Sequence, residues 1–136
     1  METKAADIIA SMMEKDAFSR WLGIEIVSSE AGYSKLSMKV RNDMVNGFGV
    51  CHGGITFALA DSALAFAANS RGKVSLALEN NIHYTRKVVP GDRLTAESTE
   101  IQNGHNIGVY KISIMNQDKK LIADFRGTVF RSGEEH

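Results

Sequence analysis

Asn46-Gly47-Phe48-Gly49-Val50-Cys51-His52-Gly53-Gly54 runs directly into Ile55-Thr56-Phe57-Ala58-Leu59-Ala60-Asp61-Ser62-Ala63-Leu64-Ala65-Phe66-Ala67-Ala68. The first half is rich in glycine and cannot pack as a regular element. The second is apolar at nearly every position, so as a helix it has to be buried all round. Gly53-Gly54 falls where that helix begins, and the first backbone N–H groups of a helix have no intrahelical partner. With no side chains there, a ligand can come right up to those donors, where the helix dipole also favours negative charge. Two turns on, one carboxylate, Asp61, interrupts the apolar run. Exposed N–H donors followed by a lone acid on a buried helix read as an acyl-transfer or hydrolytic site.

Outward from this stretch the chain divides cleanly. On the N-terminal side, Ala5, Ile8, Ile9, Met12 and Met13 recur near helical spacing. Asp16 suits the cap of a second short helix through Phe18 and Trp21, which Gly23 ends. Trp21 and the Met pair are expected in the core. From Ile24 the period changes to two: Ile24, Ile26, then Leu36, Met38 and Val40, with Ser28–Gly32 as the turn of a hairpin with one wet face. The long helix should stop near Asn69-Ser70-Arg71-Gly72, with Gly72 at C′.

Four strands are expected beyond it. Val74, Leu76, Leu78, Ile82 and Tyr84 mark the first, terminated by Pro90-Gly91-Asp92. Leu94 to Ile101 marks the second, closed by Asn103-Gly104, a strong two-residue hairpin signal. Tyr110, Ile112 and Ile114 mark the third. After a turn at 116–119 come Leu121, Ala123, Phe125 and Val129 of the fourth. A helix this apolar needs cover, and one curved antiparallel sheet can wrap most of it. The side left open must meet something else, most simply a second copy. The fold class expected is α+β, with a single domain over residues 1–136.

Composition excludes several function classes. Sixteen basic residues balance sixteen acidic ones among 136, and the basic ones are scattered, which argues against nucleic acid. One cysteine, Cys51, excludes an internal disulfide and fits a reducing compartment. The four histidines, His52, His83, His105 and His136, fall in separate elements, so no metal site is legible. The acidic start lacks signal-peptide features. The central helix is apolar for only about 14 residues, against roughly 20 for a membrane span. A cytoplasmic protein without membrane contact is expected.

Asp61 is the sharpest single feature. An isolated ionised carboxylate in apolar surroundings is retained only when it is paired, hydrogen-bonded or in a cleft. No Arg or Lys stands at positions 57, 58, 64 or 65, so no local ion pair accounts for it. A structural acid satisfied by a backbone N–H or a distant base is the plain alternative. Gly53-Gly54 has its own plain alternative, close packing of helix on loop. Asn46, an amide donor and acceptor, and His52 strengthen the functional reading, while Cys51 reads as a small buried thiol. Gly54 and Asp61 share a helix face but lie roughly 10 Å apart along the axis. One helix therefore cannot set both its N-terminal donors and Asp61 around one carbonyl carbon. Two copies packed antiparallel can, which predicts composite sites at a two-fold interface.

Asn46-x6-Gly53-Gly54-x6-Asp61, with His52-Gly53-Gly54 opening the helix, resembles the hotdog-fold acyl-CoA thioesterases. Within them it is most similar to the PaaI group of phenylacetic acid degradation. Leu22-Gly23-Ile24, Asn81-Ile82-x-Tyr84 and Pro90-Gly91-Asp92 extend the resemblance over essentially the whole chain. It implies a hotdog fold, an antiparallel sheet around a long central helix, and hydrolysis of acyl-CoA, aromatic acyl groups included, to free acid and coenzyme A. It implies that the Gly53 N–H polarises the thioester carbonyl while Asp61 of the facing subunit activates water or attacks directly. Asn46 would help hold water or thioester, and His52 would support the loop. Some relatives place a Ser or Thr where Ala77 aligns, a hydroxyl this chain lacks. The resemblance further implies a homodimer assembled as a homotetramer, and no cofactor. Arg71, Lys73, Arg86 and Lys87 flank the expected site and are candidates for the coenzyme A phosphates, each with a solvated surface role as its alternative.

Two other classes are open on the same fold. A hydratase or dehydratase relies on a His with an acid, and His52 is the only helix-flanking histidine. A non-catalytic acyl-CoA-binding regulator is expected to carry a DNA-binding extension, and the first helix has no basic surface.

Overall fold

The computed structural model describes residues 2–136. Helix α1, Glu2–Lys15, leads into α2, Ala17–Leu22, followed by strands β1, Glu25–Glu30, and β2, Tyr33–Lys39. A 3-10 turn at Asn42–Met44 and the glycine loop precede α3, Gly53–Asn69. Then come β3, Lys73–Tyr84; β4, Arg93–Asn103; β5, Ile107–Met115; and β6, Leu121–Glu135. The strands form one antiparallel sheet in the order β1-β2-β4-β5-β6-β3. This is the expected α+β arrangement, and β3 is left as one edge.

Packing explains why the sheet closes on α3. Leu59, Ala60, Ala63, Leu64, Phe66 and Ala67 are buried along the helix, against Leu36, Met38, Leu94, Tyr110, Ile112 and Phe125 of the strands. The many alanines let the strands approach closely, and Phe57 adds an edge-to-face contact with Phe125 at 5.3 Å between ring centroids. Gly54, Ala58, Asp61 and Ala65 recur at helical spacing and stay partly exposed. They form the one open stripe of α3, and Asp61 lies in it.

Several expectations are corrected. Trp21 is not core: it is 48% exposed, stacked on Phe18 at 5.9 Å, with the Arg41 guanidinium 4.8 Å above its ring. A six-residue helix offers its neighbours one face only, here Ser19 and Leu22. Met12 and Met13 do pack on the core. Strand β1 runs through Ser28-Ser29-Glu30, so the turn shrinks to Ala31-Gly32, with Gly32 at φ 79°. Gly72, at φ 110°, comes two residues after the cap residue Ser70, one later than C′.

Asn103-Gly104 does not make a two-residue turn. The chain crosses through Gly104-His105-Asn106, because the buried Arg131 side chain holds Asn103 Oδ1 and the Gly104 carbonyl. Strand β3 ends at Tyr84 rather than at Pro90, leaving 85–92 irregular. A β-bulge between Ala77 and Glu79 also swaps its faces: Leu76 and Leu78 are 71% and 60% exposed, whereas Ala77, Asn80 and Ile82 pair with Val129, Gly127 and Phe125 of β6. No helix of the described residues is long and apolar enough to cross a membrane.

Candidate active site

The glycine loop is built by Asn46. Its Oδ1 accepts from the Phe48 N–H at 2.8 Å and the Val50 N–H at 3.4 Å, and its own N–H donates to the Val50 carbonyl at 2.8 Å. The Asn46 amide nitrogen is thus the part of the side chain left for a ligand. Two backbone bonds, Cys51 N–H to the Val88 carbonyl at 2.7 Å and His52 N–H to the Met44 carbonyl at 2.8 Å, then anchor the loop where α3 begins.

His52 is the N-cap residue of α3, with its Nδ1 accepting from the Gly54 N–H at 2.9 Å. With Nδ1 committed, only Nε2 is free for other work. The Ile55 N–H returns to the His52 carbonyl at 2.9 Å. Among the described residues the Gly53 N–H makes no hydrogen bond. One donor at the positive end of α3 is therefore unclaimed, at the position where the sequence placed an oxyanion contact.

Gly53 also packs tightly against Tyr84. A Cβ there would lie 3.1 Å from the Tyr84 ring, and the Tyr84 hydroxyl donates to the Gly53 carbonyl at 2.8 Å. Beside it opens a cleft of about 430 Å³ lined by Cys51, Gly53, Thr56, Tyr84, Arg86 and Lys87, among others. Burial pushes the Cys51 thiol above its usual range, which makes it a poor nucleophile.

Asp61 lies farther along α3, about 12 Å from Gly53 at 1.5 Å per residue. Its Oδ1 accepts from Asn80 Nδ2 on β3 at 3.0 Å, and no ion pair reaches it among the described residues. Burial raises its pKa, the Asn80 hydrogen bond opposes the rise, and the Asp16 charge adds to it. Asp16 stands close because Ser19 bridges it to α3: Ser19 Oγ donates to Asp16 Oδ2 at 2.6 Å and pairs with Ser62 Oγ at 2.7 Å. Asp61 is thus a half-buried carboxylate with its proton affinity raised, the condition of a general base.

The four candidate cations separate into two pairs. Arg86 and Lys87, in the irregular segment after β3, are exposed, line the cleft and make no ion pair among the described residues. Arg71 and Lys73 lie beyond the other end of α3. Arg71 is bidentate to Glu100, at 3.0 and 2.6 Å, and Lys73 reaches Glu135 at 3.5 Å. Within one chain they are not brought to the cleft. Ala77 pairs with Val129, is exposed and supplies no polar group. Asn80 was not anticipated: alternation along β3 puts it on the face of Ile82 and Tyr84, but nothing local marks its amide as a partner of Asp61.

Comparison with known proteins bears on this arrangement. The model of the thioesterase superfamily matches residues 48–123. The chain is 41% identical over 133 residues to the acyl-coenzyme A thioesterase PaaI of Escherichia coli (strain K12), covering 98% of this chain and 95% of that protein. The solved structure of the E. coli PaaI protein, from the phenylacetic acid degradation operon, superimposes with a TM-score of 0.96 at 40% identity, covering 98% of this chain and 97% of that one. A thioesterase from Streptococcus pneumoniae, solved with coenzyme A, superimposes with a TM-score of 0.87 at 26% identity, covering 93% and 98%.

Proposed function

The chain belongs to the thioesterase superfamily, and on that premise we propose that it hydrolyses acyl-CoA in a site shared by two copies of itself. Asp61 of one copy and the Gly53 N–H of the other stand on either side of the thioester carbonyl. The observation that carries this reading is the unclaimed Gly53 N–H on a helix whose one acid is too far along to share its substrate. The open stripe of α3 and the exposed Leu76 and Leu78 on the edge strand support a second copy as the cover. The full assembly in this reading is two such dimers, a homotetramer.

The reaction needs modest help. A thioester carries a good leaving group, so one directed dipole and one base suffice. Asp61 takes a proton from water as the oxygen attacks the carbonyl carbon, and the Gly53 N–H stabilises the negative charge on the carbonyl oxygen. Collapse breaks the C–S bond and releases the acid and coenzyme A, the thiolate recovering the proton that Asp61 holds. The Asn46 amide nitrogen is placed to hold the water or the thioester, while His52 fixes the helix start. No metal or cofactor takes part. Among the described residues no three His, Cys, Asp or Glu side chains converge.

Likeness to PaaI supports aromatic acyl chains, phenylacetyl and its ring-hydroxylated forms, as the substrates. A panel of acyl-CoAs with released thiol as readout tests this directly. The kcat/KM for phenylacetyl-CoA should exceed that for acetyl-CoA by at least about tenfold. Equal rates across the panel overturn the specificity, and hydration of an enoyl-CoA without thiol release overturns the activity.

Arg86 and Lys87 are the cations proposed to hold the coenzyme A phosphates from the cleft side. Arg86→Ala or Lys87→Ala should raise KM about tenfold, about 1.4 kcal/mol, with kcat little changed. An unchanged KM in the double variant shifts phosphate binding to Arg71 and Lys73 of a neighbouring copy.

A further inference from the structure

We propose that Asn80 is a positioning residue that aims the Asp61 carboxylate, seated beside Leu64 in the space that Gly127 on β6 leaves open. The inference rests on the reading of Asp61 as the base and adds a residue to that site. Asn80 Nδ2 donates to Asp61 Oδ1 at 3.0 Å, the one side-chain hydrogen bond made to Asp61 among the described residues. The second carboxylate oxygen is left to take the proton. Holding one oxygen fixes the plane of the carboxylate, and catalytic groups act only when held near their productive geometry.

The rest of Asn80 is costly to keep. Its Oδ1 is buried and accepts no hydrogen bond among the described residues. An apolar side chain of the same size would remove that unpaired acceptor, so core packing alone favours Leu. A Cβ on Gly127, the partner of Asn80 in the sheet, would stand 3.0 Å from Asn80 Oδ1 and 2.5 Å from Leu64. The bulge between Ala77 and Glu79 completes the device, because it turns residue 80 rather than 81 toward α3. Bulge and unpaired amide both serve the contact with Asp61, while Gly127 makes room for Leu64 and Asn80 together.

The electrostatic surroundings are simple enough for a pH test. From α2, Asp16 is the one charge that acts on Asp61. From β3 and β6 come Asn80 and Gly127, which are uncharged, while Glu79, His83, Asp124 and Arg126 line a separate cleft with Asn81 and Thr128. A hydrogen bond donated to the carboxylate favours its charged form. Without it, Asp61 ionises only at higher pH, and the acid side of the rate profile moves up.

The experiment measures kcat, KM and melting temperature across pH for Asn80→Leu and Asn80→Gln, beside Asp61→Asn. Asn80→Leu should lower kcat at pH 7 at least about tenfold, leave KM within about twofold and still fold, with a melting temperature lowered modestly by the unpaired Asp61 oxygen. Its acid limb should move up by about one pH unit, with part of the rate recovered in alkali. Asn80→Gln, which can still donate, should retain more of the rate than Asn80→Leu. A wild-type rate and profile in folded Asn80→Leu overturn the positioning role while Asp61→Asn stays inactive and the base assignment stands. Loss of rate and fold together, restored by neither variant nor pH, makes Asn80 a packing residue and also overturns the proposal. An active Asp61→Asn enzyme sinks the reading of the site itself.

Discussion

Asp61→Asn should lower turnover by at least about 10², within the range a positioned general base contributes. Binding and assembly should change little, since the proposed phosphate contacts are elsewhere and Asn keeps the shape of Asp within the open stripe of α3. The substitution preserves the geometry of the contact, because the new amide oxygen can accept from Asn80 Nδ2 as Asp61 Oδ1 does at 3.0 Å. Only the basic oxygen is lost. Stability should move the other way. Burial raises the pKa of Asp61 in the folded chain above the ordinary carboxylate value, so the folded state disfavours the ionised form. An acid raised on folding imposes a penalty that is fully present above its folded pKa. The penalty disappears as pH falls below the unfolded value of about 3.9. The variant should therefore melt at the same temperature or higher at pH 7, with any gain shrinking in acid. Near-normal turnover together with a loss of several kcal/mol, as when a buried polar network is broken, makes Asp61 structural and ends the mechanism.

What the sequence revealed depended on the range of the interactions. Asp61 stood out because an acid in Ile55–Ala68 violates the composition of a buried helix, and that violation is visible without neighbours. The caps were legible for the same reason: Asp16 accepts from the Ser19 N–H three residues on, and Gly23 adopts φ 76° directly after α2. Asn80 shares the alternating face of Ile82 and Tyr84, but its contact with Asp61 is long-range and no local composition marks it. Leu76 and Leu78 seemed to share a face with Ile82 and Tyr84 until the bulge divided them. The cluster of Glu100, Tyr110 and Arg131 was equally invisible. Its members stand on β4, β5 and β6, and Glu100 meets Tyr110 only through strand register. That cluster also decides where Arg71 goes, since Glu100 takes two of its guanidinium nitrogens. Burial pushes the Glu100 carboxyl up, but hydrogen bonds from Arg71 and Tyr110 and both arginine charges outweigh this and hold it low. Trp21 failed for a simpler reason, because hydrophobicity alone does not say which face of a six-residue helix meets the core.

Co-refolding an Asp61→Ala chain with a Gly53→Pro chain should restore activity that neither has alone. The two halves of the proposed site sit on different copies, so a mixed dimer keeps one site with Asp61 and the Gly53 N–H both intact. Its other site has lost both. Random pairing of equal amounts makes half the dimers mixed, and the mixture should reach about a quarter of wild-type activity. Each parent should stay below about 1%, given losses of 10²–10³ for an oxyanion donor and 10²–10⁴ for a base. Proline suits the test because it removes the N–H and is tolerated at the first position of a helix. It also adds a Cβ 3.1 Å from the Tyr84 ring, so Tyr84 must give by a few tenths of an ångström. Gly53→Ala separates the two effects, because it carries the same Cβ and keeps the N–H. If the donor is what matters, Gly53→Ala retains far more activity than Gly53→Pro. If crowding of Tyr84 is what matters, the two fall together. No recovery from parents shown to fold and exchange places both groups in one chain. That outcome contradicts the 12 Å along α3 that separates Gly53 from Asp61 (about 1.5 Å for each residue), and the composite site is then wrong.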